Sequence, residues 1–271
     1  MKELKILFIG DIVGSLGRKI VKKLLPELKK DIKPDLVLVN AENSAHGYGI
    51  TEKIYNELIG EGIDAITMGN HIFDKREIIK SLEIFDKIVR PANYPPSVPG
   101  RDHLIIEKNG VKIGIINLLG RVFMPAVDCP FRTGEAIADK IKEKTNIILV
   151  DIHAEATSEK CAMGYYLDGK VSAVLGTHTH VMTADEKILP GGTAFICDIG
   201  MVGAEDSIIG MKKEEILSRF LTQMPHHFEP GESGDGLFNA VALKIAPETG
   251  KALEIKSINR VVPENELKEK K

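Results

Sequence analysis

Tryptophan is absent from this 271-residue chain, and aromatic residues make up only 5% of it, which argues against a stacking platform for single-stranded nucleic acid. A surplus of either charge is also missing: 36 Lys and Arg stand against 39 Asp and Glu, a net charge of -3. A polyanion held by charge alone needs a basic excess, so a nucleic-acid coat protein is excluded. Cysteine is scarce. Cys129, Cys161 and Cys197 stand far apart with no C-x-x-C pair, which excludes a disulfide scaffold or a cysteine-built zinc site and suits a reducing compartment. Long apolar runs are lacking too. The one within Met1–Ile9 is too short to span a bilayer and has no small-residue cleavage site behind it; no later stretch approaches about 18 uncharged apolar residues. The expectation is a cytoplasmic protein with no membrane partner.

What is present is ordinary globular composition, 43% hydrophobic and 28% charged, long enough to bury about three-quarters of its unfolded surface. Strand and helix patterns alternate through the first third. Leu4–Ile9 is a β-rich run, and 17–30 places Ile20, Val21, Leu24, Leu25 and Leu28 on one helical face, with Pro26 set to kink or split it. Strands follow at 35–39 and 65–68, with a helix capped by Thr51 and running to about Gly60 between them. This βαβαβ opening predicts an α/β fold with a parallel sheet. After a helix over 74–84, Pro91, Pro95, Pro96, Pro99 and Gly100 mark an irregular crossing. Asn109-Gly110 between two apolar runs predicts a hairpin. Further strands are expected at 147–151, 171–175 and 193–197, and helices at 159–167, with Cys161 buried in it, and at 212–224, with Ile216, Phe220 and Leu221 on one side. A final hairpin spans 237–262. The organisation expected is one domain over 1–262 and a frayed, charged tail over 263–271.

The informative feature is what stands at the strand ends. Asp11 follows the first strand, Glu42 and Asn43 the second, Asn70 and His71 the third, His153 a later one, and His178 and His180 the next. In a parallel α/β sheet these ends line the ligand crevice. Carboxylates, amide oxygens and imidazoles without a thiolate are a ligand mix for Fe, Mn, Zn or Co. Seven candidates, leaving His71 aside, exceed one tetrahedral ion and suit two ions sharing a carboxylate. Taken singly, each residue is an ordinary turn or cap residue; their joint occurrence in one sheet order carries the weight.

Gly10-Asp11, Asn40-Ala41-Glu42-Asn43, Gly69-Asn70-His71, His153 and Gly176-Thr177-His178-Thr179-His180 resemble the motif series of the calcineurin-like metallophosphoesterases. The resemblance is to the bacterial YmdB-like branch over nearly the full length. Val13 stands where the superfamily has a motif His, and Glu42-Asn43 replaces its second-motif Asp. The resemblance implies a four-layer αββα sandwich and a di-iron phosphodiesterase acting on 2′,3′-cyclic nucleotides, with Mn or Zn as other metals. It assigns Asp11, Glu42, Asn43 and His180 to one ion and Glu42, Asn70, His153 and His178 to the other. In such a centre two cations lower the pKa of a shared water and clamp the phosphoryl oxygens. His71 would protonate the leaving alkoxide. A phosphomonoesterase on the same site is the enzyme alternative; a regulatory or RNA-associated protein with a structural metal site is the other, although no basic cluster offers an RNA surface. The partner expected is a small phosphodiester, and a homo-oligomer stays open. His46 reads as a loop residue with substrate contact as the alternative, His226-His227 as a solvated turn, and Gly231–Gly236 as a lip or a linker.

Overall fold

The computed structural model describes residues 3–268. Strand β1 (Leu4–Ile9) leads through the short β2 (Asp11–Ile12) into α1 (Gly14–Ile32), then β3 (Leu36–Asn40), α2 (Glu52–Gly60), β4 (Ala65–Thr67), α3 (Arg76–Ser81) and β5 (Ile88–Val89). β1, β3, β4 and β5 pair in parallel in that order, as the alternating pattern predicts. The chain then crosses to a second sheet. It is made by β6 (His103–Lys108), β7 (Val111–Leu119), α4 (Pro130–Lys142), β8 (Ile148–His153), α5 (Thr157–Tyr166), β9 (Ala173–Thr177), β10 (Lys187–Ile188) and β11 (Ala194–Ile196). Its strand order is β10-β11-β9-β8-β7-β6. The chain finally returns to the first sheet through β12 (Met201–Ala204), α6 (Lys213–Thr222), β13 (Gly236–Ile245), β14 (Ala252–Val262) and α7 (Glu264–Leu267).

Three apolar clusters make this a four-layer αββα sandwich. Leu7 and Ile9 of β1 pack with Ile20, Leu24 and Leu28 of α1 on the outer face. Leu4, Ile6 and Phe8, on the other face of the same strand, meet Ile113, Ile115 and Leu149 of the second sheet. Ile148, Val150 and Ile152 turn outward to Ala138 and Ile141 of α4 and Met163 of α5. Period-2 alternation thus serves both layers at once, each fully buried aliphatic side chain contributing about 1.5–3 kcal/mol. No helix among the described residues is long and apolar enough to cross a membrane.

The Thr51 hydroxyl accepts from the Ile54 N–H at 3.3 Å and caps α2. Asn109 and Gly110 both take positive φ, 52° and 77°, at the β6–β7 turn. Five expectations need correction. Pro26 does not split α1, because it lies on the solvent face, where water can satisfy the carbonyl left without its N–H. The helix expected over 74–84 is confined to α3, and Cys161 is only partly buried. In α6 only Ile216 is buried, while Phe220 and Leu221 are 72% and 83% exposed. The tail beyond Pro263 begins with α7, whose Leu267 packs on the outer cluster; residues 269–271 lie outside the described chain.

The proline-rich crossing is pinned between the sheets. The buried Arg90 guanidinium donates to the carbonyls of Pro91, Val98 and Pro99 at 2.9–3.2 Å, and Pro91 forms a bridge with Asn117 of β7.

Candidate metal centre

Between the sheets, side chains change character along each strand. Leu36 and Leu38 give way to Asn40, Ile113 and Ile115 to Asn117, Leu149 to Asp151 and His153, and Ala173 and Leu175 to Thr177. These five polar residues are at most 1% exposed, so each must find partners inside. The Asp151 carboxylate supplies them for Asn40 and Thr177. Its Oδ1 accepts from the Thr177 hydroxyl at 2.6 Å and its Oδ2 from Asn40 Nδ2 at 3.1 Å. Burial pushes the Asp151 carboxyl up to about 6 against the opposing pull of His153 and these donors. Thr177, its proton already given, accepts from His153 Nδ1 at 2.9 Å. The imidazole is therefore fixed with a hydrogen on Nδ1 and its Nε2 turned to the rim.

Two groups meet that Nε2: Glu42 Oε1 at 2.8 Å and His178 Nδ1 at 3.0 Å. Burial opposes ionisation of Glu42, but the charge and hydrogen bond of His153 outweigh it and hold the carboxyl at about 2. Reciprocally, burial would depress His153, and Glu42 instead raises it to about 9. A proton thus occupies the place between them that a cation would take. His178 is lowered to about 3 by burial and by the His153 charge. Its Nε2 faces Glu155 Oε2 at 3.3 Å, leaving Nδ1 as the lone pair toward His153.

A second convergence lies at the other side. Asn43 Nδ2 donates to the Gly47 carbonyl at 3.0 Å, which turns Oδ1 toward His180 Nε2 at 3.3 Å. His180 Nδ1 donates to the Ile209 carbonyl at 2.8 Å, so its Nε2 is also a lone pair, and burial lowers the imidazole's pKa and keeps it neutral. Asp11 Oδ2 accepts from the His178 N–H at 3.2 Å, whereas Asp11 Oδ1, 3.9 Å from His153 Nδ1, and Asn70 Oδ1 are buried without a hydrogen-bond partner. Burial pushes Asp11 well above the usual carboxylate range. Orphaned oxygens and facing lone pairs are costly unless a cation satisfies them. The donor set fits oxygen- and imidazole-bound metal ions.

His71 stands apart, at the rim. Its N–H donates to Glu42 Oε2 at 3.1 Å, its Nδ1 pairs with Asp74 Oδ2 at 2.8 Å, and its ring edge meets Tyr48 with centroids 4.9 Å apart. Nε2 remains the nitrogen free to meet a ligand.

Sequence reasoning missed three supports. The first is Gly69 as a space requirement: a Cβ there would lie 2.2 Å from Glu42 Oε2 and 2.3 Å from His153 Nε2. The second is Lys160, 1% exposed, which pairs with Asp198 at 2.8 Å; Asp198 Oδ2 also accepts from the Thr179 N–H at 3.0 Å and its hydroxyl at 2.7 Å. This buried pair anchors the loop between His178 and His180, residues held at positive φ of 97° and 63°. The third is the Asn40–Asp151–Thr177 tier that sets the His153 tautomer. A glycine before a polar strand-end residue signals the first; the other two leave no local pattern.

Two facing sheets with a carboxylate–imidazole centre at their strand ends define a protein of the metallophosphoesterase type. The family model for YmdB-like proteins matches residues 7–258, and the chain belongs to that family. A 2′,3′-cyclic-nucleotide 2′-phosphodiesterase of Bacillus subtilis is 49% identical over 255 residues, covering 94% of this chain and 96% of its own. The crystal structure of a phosphatase from Mycoplasma pneumoniae superposes with a TM-score of 0.91 at 37% identity, covering 98% of this chain and 96% of that one. A Thermus thermophilus structure described as a hypothetical protein gives a TM-score of 0.90 at 40% identity, over 96% of this chain and all of its own.

Proposed function

We propose that the chain is a metal-dependent phosphodiesterase that hydrolyses 2′,3′-cyclic nucleotides or related small phosphodiesters. The chain is a hydrolase. The observation that carries the reading is the convergence of oxygen and nitrogen donor atoms at the strand ends, with Glu42, His153 and His178 offering ligand atoms within 4.8 Å of one another. The name of the Bacillus subtilis relative supports the substrate class. Asp11, Glu42, Asn43 and His180 would hold one ion, and Glu42, Asn70, His153 and His178 a second, with Glu42 shared. Iron is the metal proposed, with manganese or zinc able to occupy the same oxygen and imidazole donors. Bound there, the ions would supply positive charge against the phosphoryl oxygens.

The chain's own groups do the rest. Thr177 and Asp151 keep the His153 proton on Nδ1, and the Ile209 carbonyl keeps that of His180 on Nδ1, so both present Nε2. Asp74 holds His71 by Nδ1, leaving Nε2 to carry the proton given to the departing ribose oxygen.

A second reading, a phosphomonoesterase on the same centre, is favoured by the description of the Mycoplasma pneumoniae structure as a phosphatase. One panel separates them: cyclic 2′,3′ and 3′,5′ mononucleotides, an aryl phosphodiester and a phosphomonoester, each with and without chelator, beside elemental analysis of anaerobically purified protein. Fastest turnover of the 2′,3′-cyclic substrate, abolished by chelator, with two ions per chain, is expected. Chelator-insensitive turnover would sink the mechanism, and monoester preference would install the second reading.

A further inference from the structure

Beside the Asn43–His180 side of the centre lies a cavity of about 360 Å³ lined by His46, His227, Phe228, Glu229, Pro230 and Glu232. Its position is fixed by backbone contacts. The N–H groups of Gly14 and Gly47 both donate to the Asn43 carbonyl, at 3.0 and 3.1 Å. Pro230 packs against both glycines, so closely that a Cβ on Gly14 would stand 3.0 Å from Pro230 Cβ and one on Gly47 3.4 Å from Pro230 Cγ. Pro230, in the inner wall of the cavity, is thus one packed layer away from the backbone of Asn43, a residue proposed as a metal ligand. The outer wall is built as well. Lys212 N–H donates to the Glu229 carbonyl at 2.9 Å, Gly231 N–H to the Gly210 carbonyl at 2.9 Å, and Glu229 N–H to Glu215 Oε2 at 2.7 Å.

The lining has a definite chemistry. It offers one aromatic ring and two imidazoles, and no Lys or Arg lines it. The Glu229 carboxylate is already paired with Lys212 Nζ, and a second phosphate group would meet the unpaired carboxylate of Glu232. A flat, uncharged ring with N–H donors is what these walls accommodate: aromatic faces stack on nucleobases, and carboxylates accept from their N–H groups. The volume falls in the range of about 300–1,000 Å³ for small-molecule sites.

We infer that this cavity is the nucleobase subsite, with the base stacked on Phe228 between the His46 loop and the 227–232 segment while the phosphodiester lies at the metal centre. The inference rests on the phosphodiesterase reading and adds to it the residues that distinguish a nucleotide from a bare cyclic phosphate. His46 and His227 close the stack from either side, and Glu232 contributes an acceptor.

The test compares a 2′,3′-cyclic nucleotide with base-free ribose 2′,3′-cyclic phosphate, using the metal-loaded protein. Phe228→Ala is expected to lower kcat/KM for the nucleotide about tenfold, mostly through KM, the size of one lost base–aromatic stack. Turnover of the base-free substrate and metal content should not change. Phe228→Trp should retain nucleotide turnover. Since the chain has no tryptophan, that variant carries a single reporter, and its fluorescence should be quenched when free nucleoside is added. Equal loss on both substrates, or no quenching by nucleoside, would overturn the subsite. Quenching without turnover of any cyclic nucleotide would uphold the subsite and overturn the phosphodiesterase reading instead.

Discussion

His71 and Asn70 are adjacent in sequence but have different surroundings, and substitutions should separate them. His71 contacts Asp74 and Tyr48 at the rim, whereas Asn70 Oδ1 is buried with nothing to bond. His71→Ala should keep both ions and lower turnover of a cyclic nucleotide by about 10²–10⁴, the usual size of a general-acid contribution. The loss should shrink for a nitrophenyl ester, whose leaving group needs little protonation. Asn70→Ala should instead lose an ion and slow both substrates alike; metal analysis beside the two rates checks the pair. The cysteines also differ by surroundings. Burial raises Cys197 to about 11. Cys129, where slight burial raises the pKa and the backbone N–H groups of Arg132 and Phe131 at the start of α4 outweigh it, is lowered. Iodoacetamide should label Cys129 first, and as pH falls below about 8 its rate should decline later than that of a free thiol, because its thiolate persists; peptide mapping reads this directly. At this scale the sequence was legible where chemistry announces itself. Glu42, His153 and His178 come together at the strand ends, Asp11 meets the His178 backbone and Asn43 meets His180, because a strand end is a local signal. Lys160 was not legible: a lysine in a helical pattern reads as solvated, and only its distant partner Asp198 explains its burial.

That pair belongs to the scale of elements, since it ties α5 to the ends of β9 and β11. Asp198→Ala leaves the Lys160 ammonium buried without its partner and releases Thr179, so a loss of about 3–5 kcal/mol is expected. Lys160→Met combined with Asp198→Leu should recover much of the stability in urea melts. It should not recover metal affinity, because no group remains to hold the Thr179 N–H between the two histidines. The legibility of elements follows the same division between local and distant causes. The hydrophobic runs of β1, β3, β8 and β9 are long enough to read directly, whereas β2, β5 and β12, of two to four residues, are strands only because neighbours far along the chain pair with them. Helix α6 shows the opposite failure. Its periodicity is real, but Phe220 and Leu221 face solvent, and a pattern specifies a face without specifying what covers it.

For the whole molecule, the apolar layer shared by the two sheets is the decisive fact. Leu4, Ile6 and Phe8 of the first sheet are buried in one cluster with Ile115 and Leu149 of the second. We therefore expect limited proteolysis within 91–100 to yield no half that stays folded alone; a stable fragment ending or starting there would contradict a single domain. The centre lies between the same two sheets, so its ions should brace the whole. Removal by chelator is expected to lower the melting temperature by roughly 5–10 °C, the effect of losing a ligand held at about a hundredfold above its Kd, and calorimetry with and without metal measures it.

The left-handed backbone at His178 and His180 has a consequence for how this protein can be improved. A side chain at positive φ is strained by about 1–2 kcal/mol relative to glycine, so the molecule forgoes stability at two of its proposed ligands. In chelated protein His178→Gly should unfold at higher urea than His178→Ala by about 1 kcal/mol, though neither variant retains the imidazole. Selection for thermostability alone, without an activity screen, should therefore drift toward glycine at these positions and deliver a sturdier, inert protein.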